Sequence, residues 1–163
     1  MKKLLLILLC LPMIGFGQNV NIPDANFKAY LVGNSLINTN GDAEIQVSEA
    51  AAFTGEMWCD NLFISDLTGI EHFSALTDLK CNANQLTSLD VSNNTALDHL
   101  RCYDNQLSSL DVSSNTALTD LNCYNNQLTS LDVSNNTAFE FLRCSGNQLT
   151  SLDLSNNTAL GVL

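Results

Sequence analysis

Oxygen-bearing side chains are concentrated in residues 38–49. Asn38, Asn40 and Asp42 alternate at the start of this segment, and Glu49 closes it at the twelfth place. Amide and carboxylate oxygens at such intervals are the ligands that a hard cation such as calcium prefers. The same residues are typical of an Asn- and Gly-rich turn between two helices, which needs no metal. The segment is therefore both a candidate cation site and a candidate turn.

The spacing resembles the EF-hand calcium loop, which also has an apolar residue at its eighth position. The resemblance implies that Glu44 gives its carbonyl oxygen, that Gln46 binds directly or through water, and that Glu49 binds with both oxygens. The implied calcium ligands are Asn38, Asn40, Asp42, Glu44, Gln46 and Glu49. Two positions depart from the EF-hand pattern: Asn38 replaces the usual aspartate, and Ala43 replaces the glycine of the sharp turn. A structural calcium ion is the one cofactor that the sequence suggests.

A unit of 21 residues follows, repeated almost unchanged. Its copies begin at Leu76, Leu97, Leu118 and Phe139, and a fifth copy beginning at Leu160 is cut off after four residues. Such self-similarity predicts a solenoid, in which each unit buries its apolar face against its neighbours. The exposed last coil is expected to let the chain self-associate.

Each unit has the pattern Leu-x-x-Leu-x-Cys-x-x-Asn-x-Leu, seen first as Leu76, Leu79, Cys81, Asn84 and Leu86. This pattern resembles the leucine-rich repeat, with cysteine at one of the usual leucine positions. The alternation around Leu79 and Cys81 predicts a short strand with these two residues inward, and the strands are expected to form a parallel β-sheet on one side. The second half of each unit nearly repeats the first, which predicts extended or short β segments on the other side.

Three segments define the domain organisation. Residues 1–17 have the charged, apolar and small-residue regions of a signal peptide, which predicts a secreted or cell-surface protein. Residues 18–57 predict a small helical N-terminal cap that contains the EF-hand-like loop, and residues 58–163 hold the repeats. The unit at 58–75 resembles the internalin type of leucine-rich repeat, with a more helical outer side. The chain is thus similar to secreted bacterial leucine-rich-repeat proteins, and no membrane insertion is expected.

Cysteines, asparagines and aspartates recur at fixed repeat positions and have structural explanations. Cysteines at one inward position fit disulfide or zinc geometry poorly in a line, so buried thiols in the core are the preferred interpretation. Asparagines at the two corners, exemplified by Asn84 and Asn94, are expected to bond backbone groups that the turns leave unpaired. Outward aspartates need hydrogen bonds from flanking residues such as Ser92, with a bound cation as the less favoured alternative. The cysteines are Cys59, Cys81, Cys102, Cys123 and Cys144, and the aspartates are Asp90, Asp111, Asp132 and Asp153.

The outward strand positions are the most variable part of the repeat and form three predicted columns. The columns are Asp78, His99, Asp120 and Phe141; Lys80, Arg101, Asn122 and Arg143; and Asn82, Tyr103, Tyr124 and Ser145. The second column holds three of the four basic residues outside the signal peptide, and two tyrosines stand beside it. This mixed cationic and aromatic face predicts binding of a protein or a glycan. The alternative is that Lys80, Arg101 and Arg143 only pair with neighbouring acids, which contributes little.

The sequence favours a binding scaffold over an enzyme. Cys102 and His99 are close in sequence, but alternation along the strand places them on opposite faces, and no catalytic triad or phosphate loop is apparent. The net charge of -11 argues against a nucleic-acid partner. The alternative function is a structural spacer, or a fragment of a larger surface protein whose binding parts lie elsewhere.

Overall fold

The computed structural model describes residues 17–161. Of the predicted signal peptide, only Gly17 lies within this range, and residues 162–163 also lie outside it. Within the range 17–161, no helix is long and apolar enough to cross a bilayer.

A five-stranded parallel sheet forms one side of the solenoid and confirms the predicted repeat fold. In sheet order, which is also chain order, the strands are β1 (Gly55–Trp58), β2 (Leu76–Lys80), β3 (His99–Arg101), β4 (Asp120–Asn122) and β5 (Phe141–Arg143). Because the repeat length is constant, the same repeat position pairs from strand to strand, as Leu79, Leu100, Leu121 and Leu142 do. All four leucines are fully buried, and they line the core behind the sheet.

The other side of each coil is extended, as expected from its repeat pattern. Val91, Val112 and Val133 point into the core there, and a single isolated parallel bridge joins Asp90 to Asp111. The unit before the regular array differs, because it contains a 3-10 helix at Ile70–His72. This helix agrees with the more helical outer side expected of the first unit.

Asparagines hold both corners of each coil by bonding the main chain. Asn126 donates from its amide nitrogen to the carbonyls of Cys102 and Cys123, both at 3.1 Å, and accepts from the Leu107 N–H at 2.9 Å. At the other corner, Asn115 donates to the carbonyls of Val91 and Asn94 at 2.9 Å. These bonds satisfy backbone groups of two successive coils at once, so the predicted asparagine ladders are confirmed as a structural device.

Two short helices form the N-terminal cap. Helix α1 (Ala25–Gly33) begins after Asp24, whose carboxylate accepts from the Asn26 and Phe27 N–H groups at 2.9 Å. Helix α2 (Val47–Ala52) follows the oxygen-rich loop. The other oxygen of Asp24 accepts from the backbone and hydroxyl of Ser65, which ties the cap to the first coil.

Candidate functional site

The outward side chains of β1 to β5, together with the residue two places after each strand, form one continuous surface, here named the strand face. Every strand-face residue predicted from the sequence lies on it, because the parallel register aligns His99 with Asp78 and Asp120, and Arg101 with Lys80 and Asn122. The predicted residues are Asp78, Lys80, His99, Arg101, Tyr103, Asp120, Asn122, Tyr124, Phe141 and Arg143. The repeat therefore gathers side chains that are far apart in sequence onto one surface.

Strand β1 adds residues that the sequence analysis did not assign to this face. Glu56 pairs with Asp78 in the sheet and Trp58 pairs with Lys80, so the sheet begins at Gly55, inside the predicted cap. Trp58 is 53% exposed. The signal was present in the sequence, since Met57 and Cys59 have the same spacing as the inward residues of the next strand.

Arg101 lies between two aspartates of the neighbouring strands. Its guanidinium nitrogens are 3.6 Å from Asp78 Oδ2 and 3.4 Å from Asp120 Oδ2. Asp78 is only 9% exposed, and this burial raises the pKa of its carboxyl group, although the charge of Arg101 acts in the opposite direction. Arg101 is thus held in place across three strands and balances the two carboxylates.

Lys80 has a different partner from the acid that the pairing alternative assigned to it. Its ammonium nitrogen lies 3.5 Å from the centre of the Trp58 ring, in a cation–π contact. Arg143 is exposed and has no acidic group within ion-pair distance among residues 17–161. The alternative that the basic residues pair with neighbouring acids therefore holds for Arg101, but for neither Lys80 nor Arg143.

Two tyrosines stack on the strand face. The ring centres of Tyr103 and Tyr124 are 4.5 Å apart with an interplanar angle of 12°. This distance is close to the spacing of adjacent strands, so the sheet itself sets the stack. His99 lies half-buried beside Asp98, with 3.5 Å between its Nδ1 and the carboxylate, whereas Cys102 lies in the core. The two therefore face opposite ways, as the alternation predicted.

The oxygen-rich loop is closed by its own hydrogen bonds. Asn38 Oδ1 accepts from the Gly41 N–H, and the amide nitrogen of Asn40 donates to Asp42 Oδ2 at 3.0 Å and to Gln46 Oε1 at 2.6 Å. An amide group thus lies between two of the oxygens that the EF-hand resemblance assigns to calcium. Glu44 turns its carboxylate away from the loop to Lys28, at 2.7 Å.

Glu49 joins the loop to helix α2. One carboxylate oxygen accepts from the Thr39 and Asn40 N–H groups, and the other accepts from the Gln46 N–H at 3.1 Å. Burial acts to raise the pKa of Glu49, but these hydrogen bonds outweigh it and the pKa lies below its ordinary value. This geometry fits a turn braced by one buried carboxylate. Calcium binding by this loop stays a prediction.

The repeated cysteines and aspartates have structural roles. All five cysteines within residues 17–161 are free thiols, and burial raises the pKa of Cys59 and Cys123 to about 12. In each outward aspartate, one carboxylate oxygen accepts from the N–H of the serine two residues on, at 2.9 Å. These bonds lower the pKa of Asp90 and its equivalents, in agreement with the expected satisfaction by flanking serines.

A 21-residue repeat with a parallel sheet, asparagine corners and a helical cap defines a leucine-rich-repeat solenoid. The chain belongs to the family described as the Endo-beta-N-acetylglucosaminidase EndoS LRR domain, whose family model matches residues 41–157. Internalin J of Listeria monocytogenes serotype 4b (strain F2365) is 41% identical over 73 residues, which are 45% of this chain and 8% of Internalin J.

Solved structures of internalins share the fold. The functional domain of InlJ from Listeria monocytogenes, which includes a cysteine ladder, matches 88% of this chain and 32% of its own at 43% identity and a TM-score of 0.78. An internalin (inlF) from Listeria monocytogenes matches 91% of this chain and 52% of its own, with a TM-score of 0.68 at 18% identity, which supports the fold alone. The chain therefore spans only a small part of Internalin J and about a third of the InlJ domain.

Proposed function

We propose that this chain is a binding module of the secreted or cell-surface type, and that the strand face is its recognition surface. One observation carries the proposal: the stacked Tyr103 and Tyr124 stand beside Arg101, which two aspartates hold in a fixed position. Aromatic and arginine side chains with restricted motion lose little entropy on binding, which is why such groups dominate recognition surfaces. We propose that Arg101, Tyr103 and Tyr124 bind a partner, and we assign no reaction to them.

Two further points support this function. The family is named for the repeat domain of a glycan-acting enzyme, and the relatives with similar sequence are internalins. The apolar N-terminus of the sequence, which begins with two lysines after Met1, is typical of exported proteins and supports a partner outside the cell. Both a protein and a glycan are compatible with a surface of this composition.

The competing function is that of a spacer within a larger surface protein. The small share of Internalin J that this chain covers is the observation that favours it. A spacer needs an intact core and corner ladders but makes no demand on the outward side chains. The two functions therefore differ in what they predict for strand-face substitutions.

The test is a triple variant, Arg101→Ala with Tyr103→Ala and Tyr124→Ala. Its control is Gln85→Ala with Gln106→Ala and Gln127→Ala, three exposed side chains at one repeat position off the strand face. Surface plasmon resonance would compare both with the wild type against immobilised fibronectin, collagen and a panel of oligosaccharides. We expect wild-type binding to at least one probe, a loss of at least 10-fold in the strand-face variant, and none in the control. Equal binding by all three proteins, or no binding by the wild type, would favour the spacer.

A further inference from the structure

The strand face begins with an exposed tryptophan between two exposed acidic residues. Glu56 and Trp58 belong to β1, and Asp60 follows in a continuation of the strand, where the Asn61 N–H still donates to the Asn82 carbonyl at 3.0 Å. Because successive side chains of a strand point to opposite faces, the three project from one face, about 6.6 Å apart. No other repeat has this arrangement, since Trp58 is the only tryptophan of the chain.

The two carboxylates beside Trp58 lack basic partners. Among residues 17–161, no Lys, Arg or His nitrogen lies within ion-pair distance of Glu56 or Asp60. Both side chains are exposed, so a partner from solution can reach them. Two negative charges on either side of one aromatic ring attract positive charge. The β1 end of the strand face is therefore complementary to a cationic partner.

The Trp58 ring already holds one cation of the chain itself. Lys80, its neighbour on β2, places Nζ 3.5 Å from the ring centre and covers the face of the ring on that side. No other cation and no other aromatic ring stacks on Trp58 among residues 17–161, and Trp58 is 53% exposed. The indole quadrupole attracts ammonium and guanidinium groups on either face. The ring therefore has room for a second cation, from a partner.

We propose that Glu56, Trp58 and Asp60, here named the β1 patch, bind an extended peptide segment that carries Lys or Arg at alternate positions. Side chains two residues apart in an extended peptide point the same way and lie about 6.6 Å apart, which is also the spacing within the patch. The central cation stacks on Trp58, and its two neighbours pair with the carboxylates. An anionic partner is repelled by the same two carboxylates. This inference rests on the proposed function of the strand face and names the partner class for its β1 end.

Two peptides of equal composition and charge test the spacing. Acetyl-Gly-Lys-Ser-Lys-Ser-Lys-Gly-amide has lysines at alternate positions, whereas acetyl-Gly-Ser-Lys-Lys-Lys-Ser-Gly-amide has them adjacent. Selective excitation of Trp58, the only tryptophan, reports contact at the patch itself, and calorimetry measures the affinity. General attraction to an acidic protein acts equally on both peptides, so it produces no preference.

Three variants test the residues. Glu56→Gln with Asp60→Asn removes both carboxylates of the patch. Its matched control, Asp111→Asn with Asp132→Asn, removes two exposed carboxylates from the outer side of the solenoid and changes the net charge by the same amount. Lys80→Gln removes the chain's own cation from the ring, so it separates a cationic partner from an anionic one.

We expect the alternating peptide to change the Trp58 fluorescence and to bind about 3-fold more tightly than its isomer. Glu56→Gln with Asp60→Asn should bind it about 5-fold more weakly, with little change in the control. Lys80→Gln should bind at least as tightly as the wild type, because a like charge is removed.

Equal affinity for the two peptides, equal losses in the two double variants, or an unchanged Trp58 fluorescence would overturn the inference. The variant of Arg101, Tyr103 and Tyr124 leaves the β1 patch intact and is measured with other probes. The proposed function and this inference can therefore fail independently.

Discussion

At the scale of single residues, the corner asparagines are the side chains that the fold can least replace. Each one serves backbone groups of two coils, and the amide is the only ordinary side chain that combines two donors with an acceptor at this length. Loss of one such side chain leaves two or more backbone groups without partners, in a core where water is excluded.

Asn126→Ala is therefore expected to lower the free energy of unfolding by about 2 to 4 kcal/mol. The substitution removes bonds to Cys102, Cys123 and Leu107. Urea denaturation followed by circular dichroism measures the change. Asn135→Ala is the control, because this asparagine is exposed and its one bond, to the Ser113 carbonyl, is 3.5 Å long. Similar losses in both variants would contradict the role given to the ladder.

The cysteine column makes a second residue-scale prediction, which depends on pH. Burial raises the pKa of these thiols, so the folded state holds protons that the unfolded state releases. Their stabilising contribution is complete below the ordinary pKa of 9.0 and is lost as pH rises towards the folded value of about 12. The melting temperature should fall across that range. The melting temperature of the Cys123→Ala variant should fall less steeply.

Reactivity with a thiol reagent checks the same column near neutral pH. Cys59, Cys81, Cys102 and Cys123 are buried, whereas Cys144 is half-buried. A protein that begins at Gln18 should therefore show one fast-reacting thiol when native and five in urea. Cys144→Ala should remove the fast reaction. Rapid reaction of several thiols in the native state would show that the column is not closed.

At the scale of elements, the repeat made the sheet and the extended outer side predictable, and the segment 18–57 separately predicted a helical cap. Leucine at fixed intervals specifies which side chains turn inward, and a constant unit length specifies which of them stack. The first strand was harder to place, because Met57 stands where later units have leucine and the unit is one residue longer. The cation–π partner of Lys80 followed from that strand, so it could not be inferred from the regular units alone.

Calcium binding by the oxygen-rich loop is the element-scale prediction. Titration of the protein beginning at Gln18 with calcium is expected to release or absorb heat and to raise the melting temperature. Asn40 would first have to release Asp42 and Gln46, so the affinity should be weak. Asp42→Asn removes one carboxylate and should reduce binding, while Asp66→Asn, outside the loop, should not. No heat and no change in melting temperature in the wild type would leave the loop as a turn closed by Glu49.

At the scale of the whole molecule, burial decreases along the solenoid towards its last described coil. Leu128 and Val133 are fully buried, but Leu149 and Leu154, at the equivalent positions one unit later, are only partly buried. A coil in a solenoid is covered by the next one, and each leucine covered in this way contributes about 1.5 to 3 kcal/mol. Within residues 17–161, the last coil consequently presents partly buried apolar side chains at the same end as β5, the last strand of the sheet.

This end is expected to make the protein that begins at Gln18 self-associate, since pairing two such ends buries both sets of leucines. Light scattering after size exclusion, over about a 100-fold range of protein concentration, should show a mass that rises with concentration. Leu149→Lys with Leu154→Lys places charges on the exposed end and should return the mass to that of one chain, with the sheet intact by circular dichroism. Ser113→Lys with Ser134→Lys adds the same charge to exposed outer positions and should leave the association unchanged. A mass equal to one chain at every concentration in the wild type would mean that the partly buried leucines are too few to bind a second copy.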